Sequence, residues 1–118
     1  AVSVHSVHTL DQMGWDADGD RAIELEIPTQ DLEQFYKRHA KALQIPVHVT
    51  DTESSDHQSF RDAGFETLGL TEEYVNGDTT PHYHRSTDTY NTVDFAYLES
   101  TTRLVVNVIA ELTTEGCE

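Results

Sequence analysis

Several short runs in this 118-residue chain carry side chains able to do chemistry. His82-Tyr83-His84 lies late in a long polar stretch, with Asp88 four residues after His84. Neutral imidazole is a ready zinc ligand, so a metal role and a pair of surface histidines are both open on spacing alone. Asp16-Ala17-Asp18-Gly19-Asp20 places acids at positions one, three and five of a calcium-type loop. Its sixth position is Arg21, where the sharp turn needs Gly, and its twelfth is Ile27, where a bidentate Glu belongs. The run reads instead as an acidic hairpin turn built on Asp-Gly. Ser55-Asp56-His57 names the residue types of a hydrolytic triad, but adjacent residues cannot converge as a triad requires. Ser55 or Asp56 is expected to cap a helix. Glu72-Glu73 could supply an acid or base and reads as two exposed acids. His5 and His8, three apart on a strand, point to opposite faces as ordinary polar positions. His39 is expected to be packed or solvent-facing on a helix, and His48 to sit on the wetter face of a strand. Cys117 has no partner for an internal disulfide and is a weak nucleophile candidate beside the C-terminal residue.

These residues must be held by regular elements. Residues 4–10 and 22–27 read as strands; in the second, Ile23, Leu25 and Ile27 alternate with Glu24 and Glu26, which places one face in a core and the other in water. Pro28-Thr29 opens a helix whose apolar stripe is Leu32, Phe35, Tyr36, Ala40 and Leu43, with Asp31 and Glu33 in its first turn. Residues 45–49 form a short strand, near an edge because Pro46 lacks a donor. The Ser54-Ser55-Asp56 cluster starts a short helix that Gly64 ends, and Phe65 to Leu70 is the next strand. Residues 71–92 are a long polar loop of the kind that carries function or is disordered. Asp94 caps a final helix with an apolar stripe of Phe95, Leu98, Val105, Ile109 and Leu112. This order predicts a layered α/β domain.

Composition narrows the partners. Twenty-two acids against seven Lys and Arg give a formal net charge of −15. Phosphate backbones need basic clusters, so nucleic acid is excluded, and an anionic membrane surface is disfavoured for the same reason. No apolar run approaches the ~18–20 residues of a membrane span. Ala1 to His5 shows no basic-then-apolar leader, so no signal peptide is expected within these residues.

Four segments in order resemble the zinc aminopeptidases of the metallopeptidase family that also includes the glutaminyl cyclases (family twenty-eight). Thr9-Leu10-Asp11-Gln12-Met13-Gly14-Trp15 is similar to its Leu-Asp-Met-x-Gly segment. Ser55-Asp56-His57-Gln58-Ser59-Phe60, with Ala63-Gly64-Phe65, is similar to its Ser-Asp-His-x-x-Phe…Gly segment. Tyr83-His84-Arg85-Ser86-Thr87-Asp88-Thr89 resembles its Tyr/Ile-His-x-x-x-Asp-Thr segment, and Val93 to Leu98 the start of its last helix. The resemblance implies a mixed, mostly parallel sheet flanked by helices, with a two-zinc site at the carboxyl ends of the strands. It makes Asp11 the terminal carboxylate ligand of one zinc and His84 the histidine ligand of the other or of the same centre. Asp88 and Thr89 would brace the His84 loop, and Asp56 would be a helix cap close to the site.

The family's catalytic domain is longer, and its first half carries a His-x-Asp pair and a Glu-Glu pair that supply the remaining ligands and the general base. No such segment precedes Asp11, so this chain is expected to be the C-terminal portion of the domain and inactive by itself. The implied activity is hydrolysis of N-terminal peptide bonds, with a free-amine peptide as substrate. The rivals are a non-enzymatic interaction domain on the same fold and a glutaminyl cyclase-like acyltransferase; Asp88-Thr89 and the lack of a Trp near His84 favour the aminopeptidase. Resemblance also favours a secreted or periplasmic location. Half of a layered fold would expose apolar faces, from which self-association is expected.

Overall fold

Alternation of apolar residues at Ile23/Leu25 and Leu68/Leu70 sets one face of a four-stranded sheet, and the chain is built around it. The computed structural model describes residues 2–115; the Cys117 reading lies outside the described residues. The elements run β1 (Val7–Leu10), β2 (Ile23–Glu26), α1 (Gln30–Ala42), β3 (Val47–Thr50), α2 (Asp56–Asp62), β4 (Thr67–Thr71), a 3₁₀ turn (Tyr90–Thr92) and α3 (Phe95–Glu115). The strand order is β1-β4-β2-β3. β1 runs parallel to β4 and β2 parallel to β3, while β2 and β4 are antiparallel. The sheet is therefore mixed and mostly parallel, as expected. β3, entered through Pro46, is at an edge, where the missing proline donor costs no ladder bond.

Leu25 pairs with Leu70 across the antiparallel step, so Ile23, Leu25, Leu68 and Leu70 share one face. Leu32, Tyr36 and Ala40 of α1 and Tyr97, Leu104 and Val108 of α3 close over that face as a single buried cluster. Tyr97 also donates its hydroxyl to Ala22 O at 2.8 Å, and Glu111 of α3 accepts from His39 Nε2 at 2.6 Å and Arg38 at 2.9 Å on α1. The α1 stripe is the one its spacing predicts. The α3 stripe is not: Tyr97, Thr101, Leu104 and Val108 are buried, whereas Phe95 and Ile109 are exposed. α3 is apolar on two sides, and the second side, lined by Phe95, Leu98 and Val106, stays open. None of the described helices is long and apolar enough to cross a membrane.

The opposite face of the sheet corrects a second expectation. Glu24 and Glu26 are buried, not wet. The segment after β4 folds over Glu24, whose carboxylate accepts from Val75 N–H at 2.9 Å, Asn76 N–H at 2.8 Å and Asn76 Nδ2 at 2.7 Å. α2 packs over β1 and β4 and covers Glu26 with His57. A strand with backbone on both sides buries both of its faces.

The hairpin is the third correction. β4 lies between β1 and β2, so residues 11–22 form a wide loop and Asp18-Gly19-Asp20 is no hairpin turn. Its bends are instead held by side chains: Asp16 Oδ2 accepts from Arg21 N–H at 3.0 Å, and Asp78 accepts from the N–H groups of Ala17 and Asp18 at 3.0 and 3.2 Å. Arg21, at φ 64°, donates to Leu43 O, Gln44 O and Ser100 Oγ, tying the loop to the end of α1 and to α3.

Candidate active site

Asp11 follows directly on β1, and its N–H still bonds Leu70 O at 3.1 Å. The ladder thus fixes the backbone of Asp11 while its side chain leaves the sheet at the strand's carboxyl end, the usual place for ligands in open α/β sheets. Two clefts open there. One is lined by Asp11, Gln12, Glu26, Ser55, Thr71, Tyr74 and Tyr83. The other, of about 200 Å³, is lined by Asp11, Met13, Glu72, Thr80, Asp88 and Thr92. Asp11 is common to both. A broader concavity, about 800 Å³, runs along edge strand β3 past Val47 to Thr52 and contains none of these acids; it is an open groove away from the convergence of loops.

His84 stacks on Tyr83, with ring centroids 3.8 Å apart and planes 18° apart, and Tyr83 in turn meets Tyr74 at 6.0 Å. The residue takes φ 55°, a left-handed backbone that costs a non-glycine residue ~1 kcal/mol and tends to occur where position matters. Asp11 and His84 are both exposed, and among the described residues no hydrogen bond engages either side chain. His82, by contrast, is tied down: Nδ1 contacts Thr87 Oγ1 at 2.8 Å and its ring meets Trp15 edge-on at 6.0 Å.

Asp88 joins Asp11 on the wall of the second cleft, and its N–H bonds Arg85 O at 3.1 Å, closing the turn that follows His84. Thr89 is the extended N-cap of the 3₁₀ turn, and its carbonyl accepts from Thr92 N–H at 2.9 Å and Thr92 Oγ1 at 2.7 Å. Asp56 is not the cap expected of it. Ser55 holds the extended N-cap backbone, without a side-chain cap bond, and Asp56 is the first residue of α2, where its charge faces the positive helix end. Ser55, not Asp56, reaches the cleft. Asp94 does cap α3, accepting from Tyr97 N–H at 3.0 Å.

Glu72, His57 and Glu26 lie buried beneath the clefts, in places the sequence does not predict for them. Glu72 is 1% exposed, and its two oxygens accept from Gly14 N–H, Trp15 N–H, Thr79 Oγ1 and Thr80 N–H at 2.7–3.1 Å. It and Glu73 are buried, against the expectation of two exposed acids. His57 is fully buried; Nε2 donates to Thr52 O at 2.6 Å and Nδ1 lies 3.7 Å from Glu26 Oε1. Burial, with the charges of Glu24 and Asp11, pushes the Glu26 carboxyl up to about 7, so the floor of the first cleft holds a proton near neutrality. His8 is not an ordinary surface position either: it is half-buried, contacts Tyr36 OH at 2.8 Å, and burial lowers its pKa to about 4.

The profile of peptidase family M28 matches residues 3–109. The chain belongs to peptidase family M28. Among solved structures, this M28 chain is similar to LapB from Legionella pneumophila, with a TM-score of 0.83 and 27% identity over 94% of this chain and 32% of LapB. The LapA aminopeptidase of the same organism gives 0.78 and 19%, over 91% of this chain and 31% of LapA. BSAP, a zinc aminopeptidase from Bacillus subtilis, gives 0.78 and 18%, over 91% and 28%. The last two likenesses show the fold alone. No curated protein matches the chain. The M28 chain thus spans about a third of the length of these structures.

Proposed function

We propose that this chain supplies the second-half portion of a zinc aminopeptidase site, acting on peptides with a free N-terminus, with Asp11 and His84 as its metal ligands. Membership of family M28 and the likeness to LapB support the reading, and the fold shared with BSAP, a zinc aminopeptidase, is consistent with it. The observation that carries it is Asp11 leaving β1 into two clefts walled by the loops that bear Tyr83 and Asp88. The donor chemistry fits zinc: a carboxylate oxygen and an imidazole nitrogen, both exposed and neither engaged in a hydrogen bond among the described residues. Zinc, when bound, would acidify a water molecule and polarise the scissile carbonyl.

This chain's own residues do the rest. Asp11 presents its carboxyl group at the strand end, and Tyr83 stacks on the His84 ring and sets its plane. Asp88 closes the turn after His84, and the acidic walls attract a substrate ammonium. A catalytic zinc takes three protein ligands, so two from this chain leave at least one, and the general base, to residues outside it.

The test is an aminoacyl-nitroanilide assay. The 118-residue chain is expected to show no turnover, even with added zinc. A longer polypeptide in which upstream His-x-Asp and Glu-Glu segments precede it should turn over. There, Asp11→Ala and His84→Ala should each lower kcat/KM by more than the roughly 10–100-fold that loss of an outer-sphere partner costs. Turnover by the chain alone, or activity in the longer polypeptide indifferent to both substitutions, overturns the proposal.

A further inference from the structure

The wide loop between β1 and β2 brings Asp16, Asp18 and Asp20 against Glu73, and one carboxylate oxygen from each lies within 4.8 Å of the others. None of the four is among the residues assigned to zinc. The aspartates are pre-positioned. Asp16 Oδ2, Asp18 Oδ1 and Asp20 Oδ1 each accept one backbone N–H of the same loop, from Arg21, Asp20 and Ala22 at 2.9–3.0 Å. That leaves each aspartate its second oxygen.

A clustering of acids on a surface is unremarkable, and Glu73 is what distinguishes this one. It is 8% exposed, and its Oε1 is buried without any hydrogen-bond donor among the described residues. One Glu73 oxygen stands among three aspartate carboxylates, so its neighbours there are acceptors. Burial, with the charges of Asp20 and Asp18, pushes the Glu73 carboxyl up to about 7, so the cluster holds either a proton or a cation. His48 does not resolve this, because its Nε2 is 3.9 Å from the other oxygen, Oε2, beyond hydrogen-bonding reach. A cation among the four carboxylates would satisfy all of them.

We propose that Asp16, Asp18, Asp20 and Glu73 form a calcium-binding site. The donor set is oxygen throughout, with no imidazole or thiolate to favour zinc or another transition metal. Four carboxylate oxygens gathered within 4.8 Å of one another suit calcium, which accepts an irregular set of carboxylates, better than magnesium, which demands near-ideal octahedral geometry and keeps several of its waters. Water and backbone carbonyls would complete its six to eight ligands. The site is not an EF-hand: the three aspartates come from one loop, and the fourth acid comes from the far side of β4 instead of the twelfth loop position. The ion would thereby fasten the β1–β2 loop to the segment that leads on to His84.

Isothermal titration of the metal-free 118-residue chain with calcium chloride tests this, with terbium luminescence sensitised through Trp15 as a second readout. One calcium ion should bind per chain, with Kd on the order of 10⁻⁴ M, as in other partly exposed calcium modules. Glu73→Gln should weaken binding at least about tenfold, one carboxylate charge being lost. Asp18→Asn, at an exposed position that leaves the fold unchallenged, should do the same and decides the matter if Glu73→Gln fails to fold. Asp11→Asn and His84→Ala should bind calcium as the parent does. No saturable binding below about 10 mM, binding indifferent to Asp18→Asn, or equal displacement by magnesium would each overturn the site.

Discussion

Glu72→Ala is expected to destabilise the domain by about 4 kcal/mol, since hydrogen bonds to a charged group are worth roughly 1.5–3 kcal/mol each and water can rescue only part of the loss. Glu72 alone satisfies Gly14 N–H, Trp15 N–H, Thr79 Oγ1 and Thr80 N–H, and it sits under both the β1–β2 loop and the loop that carries His84. Truncation leaves four donors facing a cavity. Glu72→Gln should fall between, because the amide keeps one acceptor oxygen but turns donors toward donors. Urea denaturation of the three proteins checks the order. A domain of this size commands only about 5–15 kcal/mol in all, so the Ala variant should be partly unfolded at 37 °C. A loss below about 1 kcal/mol, the value of one ordinary hydrogen bond, would mean that the loops are held by something else.

Gly69→Ala should be nearly as severe, for a steric reason. A Cβ at Gly69 would lie 2.5 Å from Glu26 Oε1, 2.9 Å from His57 Nδ1 and 3.1 Å from Glu26 Cβ. Glu26 faces Gly69 across the antiparallel step, and His57 is fully buried above the pair, so neither can retreat into solvent. Overpacking of this kind costs about 1–3 kcal/mol, and here it also separates a buried carboxyl from the imidazole beside it. The cost should fall in part when Glu26→Ala is added, because the shortest of the three contacts, at 2.5 Å to Glu26 Oε1, is then gone. A double-mutant cycle by urea denaturation measures this; strict additivity would place the strain elsewhere.

Much of the frame was legible because local patterns were decisive. Leu32, Tyr36 and Ala40 share one helical stripe, Leu68 and Leu70 one strand face, and Gly64 ends α2 at φ 93°. Alternation in β2 was read correctly for Ile23 and Leu25. It misled for Glu24 and Glu26, since a period of two says that two faces differ, not that one of them is wet. What covers Glu24 is backbone some fifty residues later, at Val75 and Asn76, which no local pattern encodes. α3 misled for a related reason: with apolar residues on two sides, spacing cannot tell which side meets the sheet.

The site divides in the same way. Asp11, His84 and Asp88 could be singled out because each lies in a segment whose order resembles a known family. The buried carboxylates could not. Glu73 reads as one acid among many until β4 brings it to Asp16, Asp18 and Asp20. The signal that could have pointed to Glu26 and His57 was Gly69 in mid-strand, since an interior strand glycine often marks a close approach.

The most direct measurement is an anomalous difference map at the zinc edge, from crystals of a zinc-loaded longer polypeptide that contains this chain. One peak, or two neighbouring peaks, should lie at roughly 2.0–2.2 Å from an Asp11 carboxylate oxygen and from a His84 ring nitrogen. Zinc found only elsewhere, with Asp11 and His84 on separate faces, would contradict the shared metal site.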